Sequence, residues 1–324
     1  MVTGVVVLTF LITRVIPSDP AAIWVGPHAG AAQIAHARIT LGLNKPLWYQ
    51  LITYLEGIFR GNWGVSLRTH RPVLLSLLQV IPASLELVVP ALVIALTVGV
   101  PLGLVAVRFH GHVIDHAART VSIMCVSLPA FWLAAILQLV FFQVLHVLPV
   151  ASEYTPALAI THPLTAMTGV PVIDALLTAN WPVLGSSLQH LVLPSLAVAA
   201  YPTGVMARMV RATVLEHSEE SHSQMIRALG FPERSVLARF SLRLAWNPIL
   251  QVLALVFVFA LVNTFLVESV FDWPGLGSYA AAAITNLDTP AIVGITLFIA
   301  IVYVFGNVAV DLLQALFDPR IRLR

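Results

Sequence analysis

The sequence predicts an all-α polytopic membrane protein with six transmembrane helices. Of its 324 residues, 59% are hydrophobic and only 10% are charged, whereas soluble domains carry roughly 25% charged residues. Several apolar runs exceed the ~20 residues that a helix needs to cross a bilayer. One long polar interval, residues 216–248, lies between these runs. The net charge of +2 gives no reason to expect a nucleic-acid partner.

The first predicted span covers residues 1–16. At ~1.5 Å per residue it reaches about 24 Å, which is short of a ~30 Å hydrocarbon core. We therefore expect this span to be truncated or to start upstream. Residues 17–81 are more polar and aromatic, and they are predicted to form an extracytoplasmic segment of short helices between the first and second spans.

The transmembrane core is predicted over residues 84–316. Its apolar runs fall at about 84–107, 120–147, 191–207, 249–270 and 290–316. In the first of these runs, Gly99 and Gly103 form a Gly-x-x-x-Gly pair, which lets another helix approach closely. The single cysteine, Cys125, lies in the second run and is expected to pack as a small hydrophobic side chain.

Basic residues predict the orientation of the chain. The loop at residues 212–248 and the tail at residues 317–324 are rich in arginine, whereas the loops at 148–188 and 271–289 contain no lysine or arginine. Cytoplasmic loops of membrane proteins carry an excess of these residues. The loop at 212–248 and the C-terminus are therefore predicted to be cytoplasmic.

The polar interval is predicted to form two short amphipathic helices that meet at Gly230. Glycine adopts the left-handed conformation that ends a helix, and Pro232 suits the first turn of the next helix. We expect this loop to dock a partner through an apolar surface flanked by basic side chains. An ordinary helix cap at Gly230 and arginines that only set the topology are the alternatives. The candidate docking residues are Met225, Ile226, Arg227, Ala228, Leu229, Gly230, Phe231, Arg239 and Arg243.

The sequence lacks the motifs of the common catalytic sites. Its only lysine, Lys45, does not follow the Gly-x-x-x-x-Gly run that a P-loop needs to hold nucleotide phosphates. The His-Glu-x-x-His and Gly-x-Ser-x-Gly motifs are also missing. We therefore expect no catalytic residue and no cofactor in this chain. If ATP drives its function, another subunit must hydrolyse the ATP.

Three polar residues within or near the ends of the spans, Glu86, Asn263 and Glu268, are candidates for a translocation path. Ionisable groups inside a membrane are costly and often functional. Alternatively, the two glutamates cap neighbouring helices and Asn263 forms an interhelical hydrogen bond. Trp63 and Trp273 are expected to be interfacial anchors or contacts for a binding protein.

The pattern His-x-His-x-x-Asp-His at residues 110–116 has a spacing that suits a transition metal. It lies in a short loop that is predicted to be cytoplasmic. A solvated loop is the favoured interpretation, and we assign no metal site to it.

Nine short segments, in order along nearly the whole chain, resemble the B-type permease subunit of the dipeptide, oligopeptide and nickel branch of binding-protein-dependent ABC importers. They are TRVIPSDP at 13–20, LGLNKP at 41–46, RGNWGVS at 60–66, RPVL at 71–74, PASLEL at 82–87, SLPAFWL at 127–133, HLVLP at 190–194, VESVFDWPGLG at 267–277 and DPRI at 318–321.

The polar interval resembles the coupling loop of that family. The matching residues are Arg227, Ala228, Gly230, Arg239, Leu242, Arg243, Ala245 and Pro248. The interval departs from the family at residues 222–226, where the family has a Tyr-x-Arg-Thr-Ala run, and at Leu229, where the family has a lysine.

The resemblance implies a type I ABC importer permease fold in a bacterial inner (plasma) membrane, with residues 84–316 as the permease core. Besides the lipid bilayer, it implies a second permease subunit of the C-type, two ATPase subunits that bind ATP and Mg²⁺, and an extracytoplasmic solute-binding protein. The expected cargo is a di- or oligopeptide, and nickel or a metal chelate is the alternative within the family. A stand-alone ion-coupled secondary transporter is the alternative from another class, and it predicts inverted internal repeats.

Overall fold

The computed structural model describes residues 4, 7, 8, 10, 11, 19–26 and 28–317, with side chains up to residue 309 and at residue 312. The described residues are mostly helical and contain no strand, which confirms the all-α class. The helices are, in chain order, α1 Pro20–Val25, α2 Ala31–Thr40, α3 Leu47–Phe59, α4 Val73–Arg108, α5 Val113–Ser127, α6 Ala130–Val144, α7 Pro156–Thr161, α8 Pro171–Leu177, α9 Trp181–Glu219, α10 Ser221–Ala228, α11 233–244, α12 Trp246–Phe271, α13 Leu276–Thr285 and α14 Thr289–Phe317.

Four of the described helices, α4, α9, α12 and α14, are long and apolar enough to cross a membrane. Helices α5 and α6 together make a fifth candidate, although they are bent by 101° where they meet. The predicted span at residues 1–16 lies mostly outside the described residues. The polytopic class is therefore confirmed, whereas the described part of the chain does not confirm a count of six spans.

The bend between α5 and α6 interrupts the apolar run that was predicted to be one span at 120–147. Proline has no backbone N–H and disfavours the helical conformation in the residue before it. Accordingly, Leu128, which precedes Pro129, is extended, with φ −78° and ψ 128°. This run therefore forms a broken span or a re-entrant loop.

Helix α4 also differs from its predicted limits, because it begins at Val73, inside the range 17–81. Residues 73–81 are largely apolar and continue the helix toward its N-terminus without a break. Helix α9 likewise extends beyond both ends of the predicted run at 191–207 and is 39 residues long.

One compact unit of the chain comprises Met1–Ala83 and Pro274–Val304. The buried residues of its core come from the start of α4, from α13 and from the start of α14, and they are Val73, Leu77, Leu276, Ala283, Ala291 and Ile295. Asp288 lies just before α14 and is buried. Its carboxylate accepts hydrogen bonds from the Ser66 hydroxyl and, at 3.1 Å, from the Leu67 N–H. This carboxylate therefore holds the loop before α4 against the start of α14.

The second unit comprises Ser84–Trp273 and Phe305–Arg324, and α9 is at its centre. Helix α9 packs against α4, α5, α6, α8 and α12. The close approach predicted from the Gly-x-x-x-Gly pair is confirmed. A Cβ atom at Gly103 would lie 2.7 Å from the carbonyl oxygen of Ala207 on α9, and one at Gly99 would lie 2.9 Å from that of Thr203.

The prediction for Trp273, an interfacial anchor or a contact for a binding protein, is wrong. This side chain is only 1% exposed. The physical reason is the end of α12, where Asp272 adopts a left-handed conformation with φ 49°. The Trp273 N–H then donates to the Glu268 carbonyl oxygen at 2.9 Å. This turn changes the direction of the chain at the end of α12, and the indole that follows it is buried within the fold and not exposed at an interface.

Candidate coupling surface

The polar interval contains the helix-turn-helix that the sequence predicts. Helix α10 ends at Ala228, and Gly230, two residues later, has φ 83°. The Gly230 N–H donates to the Arg227 carbonyl oxygen at 2.9 Å, and the Phe231 N–H donates to that of Ile226 at 3.4 Å. These two bonds are those of a Schellman motif, which satisfies the last carbonyl groups of a helix. The predicted left-handed turn at Gly230 is therefore present.

Three large apolar side chains around this turn face outward, and we call them the docking patch: Met225, Leu229 and Phe231. Met225 and Leu229 are each 66% exposed and Phe231 is 47% exposed. Ile226 is half-buried beneath them, and Ala228 is exposed beside them. Clustered apolar side chains on a polar surface are typical of sites that contact a protein partner or a membrane.

Arg227 forms a clamp across the turn. Its Nε and Nη2 atoms donate to the two carboxylate oxygens of Glu233 at 2.9 and 2.8 Å. Its Nη1 atom donates to the Ser218 carbonyl oxygen, near the end of α9, at 2.6 Å. The hydrogen bonds from Arg227 lower the pKa of the Glu233 carboxyl below its ordinary value. Arg227 therefore ties three consecutive helices together and holds the docking patch in place.

A buried serine supports α10 from below. Ser223 is fully buried, and its hydroxyl donates to the His217 carbonyl oxygen at 2.7 Å. This side chain also lies 3.5 Å from the Ser241 hydroxyl of α11, measured between the two oxygen atoms. The two helices of the hairpin are therefore linked to each other and to the end of α9 by polar contacts.

The remaining docking candidates, Arg239 and Arg243, lie on α11 beside the docking patch. Together with Phe240 and Leu244 they line a surface groove of about 540 Å³ that also includes Phe231. The rings of Phe231 and Phe240 meet edge to face, with their centroids 5.7 Å apart. Both arginines are exposed, and neither forms a salt bridge within the described residues. The apolar patch therefore has a positively charged border.

The candidates for the translocation path lie elsewhere in the second unit. Glu86 is 6% exposed, and its Oε1 atom accepts a hydrogen bond from the Val172 N–H in the first turn of α8 at 3.0 Å. Glu268 is buried, and its Oε1 atom accepts from the Ser84 hydroxyl at 2.6 Å. The geometry of Glu86 is that of the alternative interpretation, a cap on a neighbouring helix.

Asn263 lies beside a cavity of about 220 Å³ between the α5–α6 bend, α9 and α12. Its side-chain amide donates to the Phe259 carbonyl oxygen at 2.8 Å, within its own helix, rather than to a neighbouring helix. Phe259 also stacks on Tyr201 of α9, with the ring centroids 4.3 Å apart. Tyr201 and Phe259 were not singled out in the sequence, because no local pattern distinguishes them from other aromatic residues in spans.

The histidine-rich pattern does not assemble into a metal-binding cluster. Within the described residues, no group of three or more His, Cys, Asp or Glu side chains has a geometry that could hold a metal ion. Asp115 is buried and accepts two hydrogen bonds from Arg211 of α9, at 2.8 and 2.9 Å. His110 lies at the edge of this ion pair, with its Nδ1 atom 3.3 Å from the Asp115 Oδ2 atom. This carboxylate therefore serves to join α5 to α9.

Apolar helices that are long enough to span a bilayer define an integral membrane protein, and a helical hairpin of this protein exposes an apolar patch. The chain belongs to the family of binding-protein-dependent transport system inner membrane components. The model of that family matches residues 99–323, and the model of its N-terminal region matches residues 1–88. This family consists of transport components and not of catalytic enzymes.

Curated relatives match almost the whole chain. The chain is 38% identical over 321 residues to an Escherichia coli (strain K12) protein named "Probable D,D-dipeptide transport system permease protein", covering 99% of this chain and 94% of that protein. It is 35% identical to the di/tripeptide transport system permease protein of Pseudomonas aeruginosa (strain UCBPP-PA14), covering 98% and 94% of the two chains. It is 33% identical to the dipeptide transport system permease protein of Alkalihalophilus pseudofirmus, covering 98% and 95%.

Proposed function

We propose that this chain is the membrane permease subunit of an ATP-driven importer that moves short peptides into the cytoplasm. The observation that carries the proposal is the docking patch, held in place by the Arg227–Glu233 clamp in a chain of this family. The names of the relatives, which are transporters of dipeptides or of di- and tripeptides, support peptides as the cargo.

The partners follow from this proposal. Two ATPase subunits bind ATP and Mg²⁺, and one of them receives the docking patch, with Arg239 and Arg243 at the border of the contact. A second permease subunit of the C-type completes the membrane channel, and a solute-binding protein delivers the peptide from the opposite side. The loop at residues 212–248 and the C-terminus are then cytoplasmic, in agreement with their arginine content. ATP and the loaded binding protein each favour one of two packings of the bundle, which couples the two sites.

Of the three candidates for the translocation path, we propose Asn263 as a residue that lines it. Its position beside the 220 Å³ cavity and its intrahelical hydrogen bond support this role. Glu86 and Glu268 position the helices around the path, because each carboxylate is buried and accepts a hydrogen bond from another segment of the second unit.

The test is uptake of a labelled dipeptide by vesicles that contain the whole transporter. Met225→Gln and Leu229→Gln are expected to reduce uptake at least 10-fold, since each places a polar group in the apolar contact. Ile160→Gln is the matched control, because Ile160 is also exposed, at 86%, but lies on α7, far along the chain from the docking patch. Normal uptake by both docking-patch variants would refute the coupling role.

Competition between substrates tests the proposed peptide cargo, and removal of ATP tests the proposed energy source. Unlabelled di- and tripeptides are expected to compete with the labelled dipeptide, whereas free nickel and a nickel chelate are not. Competition by the nickel species alone would replace peptides with a metal cargo. Uptake that persists without ATP and follows an ion gradient would indicate a stand-alone secondary transporter instead.

A further inference from the structure

A second groove, distinct from the docking patch, lies where the end of α4 meets α11. We call it the arginine groove, and it is lined by residues 101–108 of α4 and residues 234–238 of α11. Its volume is about 290 Å³. Apart from the two arginines, its walls are apolar, and the side chains that form them are Pro101, Leu104, Val105, Leu237 and Ala238. The groove thus combines an apolar lining with two positively charged side chains.

The two cations of the groove, Arg108 and Arg234, have no anionic partner among the described residues. Both side chains are exposed, and neither donates a hydrogen bond or forms a salt bridge within the described residues. The acidic residue next to Arg234 in sequence, Glu233, already accepts two hydrogen bonds from Arg227. The groove lining contains no aspartate or glutamate. The Arg108 guanidinium group lies over the Phe109 ring, 5.3 Å from the ring centroid, so its contact is with an aromatic face and not with an anion. Two guanidinium groups without an ion-pair partner among the described residues therefore border one apolar groove.

The position of the groove along α4 indicates the environment that supplies its ligand. Arg108 is the last residue of α4, a helix with a mean hydropathy of 2.4 over its most apolar stretch. An arginine at the end of a spanning helix places its charged head at the level of the lipid headgroups while its stem follows apolar surface. The groove therefore lies at the membrane surface, where lipid is the most abundant molecule.

We propose that the arginine groove binds an anionic phospholipid. One acyl chain lies along the exposed side chains of Pro101, Val105 and Ala238, and the phosphate accepts hydrogen bonds from Arg108 and Arg234. Guanidinium groups bind phosphate through paired, charge-assisted hydrogen bonds, and basic pockets between helices at the membrane surface favour anionic headgroups. Because α11 is the second helix of the hairpin that carries the docking patch, the lipid also contacts that hairpin.

The test uses the whole transporter purified in detergent, with bound lipid counted by native mass spectrometry during titration with phosphatidylglycerol. Arg108→Gln and Arg234→Gln are each expected to weaken phosphatidylglycerol binding about 5-fold, and together about 30-fold. Arg119→Gln is the control, because Arg119 is an exposed arginine on α5 outside the groove. It is expected to leave the binding unchanged.

A second variant tests the apolar part of the groove without changing its charge. Ala238→Trp fills the groove from its exposed wall and is expected to displace phosphatidylglycerol while both arginines remain. Equal binding of phosphatidylcholine would overturn the proposal, since it would remove the role of the arginines. Displacement of the lipid by inorganic phosphate at a similar concentration would indicate a simple anion site. No phosphatidylglycerol binding to the whole transporter, with binding that appears once the ATPase subunits are removed, would indicate that a protein partner fills the groove and would overturn the proposal.

Discussion

The Arg227 clamp gives the sharpest prediction for the docking surface. Arg227 and Glu233 are 34% and 48% exposed, so their ion pair contributes about 0.5–1 kcal/mol after solvent screening. The hydrogen bond to the Ser218 carbonyl adds about 1.5 kcal/mol, the low end of the range for a charged donor, because the arginine is partly exposed. Arg227→Gln is therefore expected to destabilise the turn at Gly230 by about 2 kcal/mol, and Glu233→Gln by about 1 kcal/mol.

Amide hydrogen exchange at residues 229–231 in the whole transporter measures this effect. Exchange by local opening is expected to be about 30-fold faster in Arg227→Gln and about 5-fold faster in Glu233→Gln. The double variant is expected to resemble Arg227→Gln, because the ion pair can be lost only once. The difference from additivity then gives the free energy of the pair.

The opposite result would identify a different role for Arg227. If Arg227→Gln leaves the exchange rates unchanged but reduces ATP-driven uptake, the arginine contacts a partner subunit directly. If the effects of the two single variants add in the double variant, the two side chains do not act as a pair. Either outcome would refute the clamp.

Three further predictions concern the rest of the chain. Gly103→Ala is expected to lower the free energy of unfolding by about 1–3 kcal/mol, because the new Cβ atom would clash with the backbone of α9. At Gly185 a Cβ atom would meet nothing within 4 Å, so Gly185→Ala is expected to raise the free energy of unfolding by up to about 1 kcal/mol. Thermal unfolding of the two variants measures the difference. Burial raises the pKa of Glu153 to about 7 from an ordinary 4.5. The folded state therefore favours the protonated carboxyl group, and the contribution of Glu153 to the free energy of unfolding is full below pH ~4.5 and is lost as the pH rises through about 7. Glu153→Gln should flatten the unfolding temperature over this range, and a slope equal to that of the parent would contradict the assignment. Glu86→Ala is expected to loosen the first turn of α8 by about 1 kcal/mol, seen as faster amide exchange there, whereas Glu56→Ala, an exposed control, is not.

The helical class and the sites of close packing could be predicted because each depends on a local property. Apolar runs longer than a bilayer identified four long helices, and the positions of Gly99 and Gly103 predicted the close contact with α9. The left-handed turn at Gly230 could be predicted because glycine lacks a Cβ atom, which makes this conformation accessible at little cost. No partner residue had to be known for any of these predictions.

The features that could not be predicted from the sequence depend on changes in the direction of the chain or on contacts between residues of separate helices. Pro129 was visible inside an apolar run, but hydropathy alone does not register the turn that it imposes on Leu128. Trp273 is a tryptophan just beyond the end of an apolar run, which is where interfacial anchors occur. Its burial after the left-handed turn at Asp272 depends on tertiary structure that the local sequence does not reveal. The Arg227 clamp joins residues on separate helices. The number of arginines in the loop and the predicted topology are the same whether Arg227 is clamped or free, so neither could reveal these contacts.

Helix α9 has a mechanical consequence, because one continuous helix runs from the loop before Trp181 to the docking hairpin. Its 39 residues make a rod about 58 Å long at ~1.5 Å per residue. A tilt of about 5° at one end therefore shifts the other end by about 5 Å. Pro194 and Pro202 each remove a backbone N–H from the helix. The helix is therefore easiest to bend in the stretch between these prolines, whereas the portion beyond Pro202 continues without a proline to the start of the hairpin that carries the docking patch.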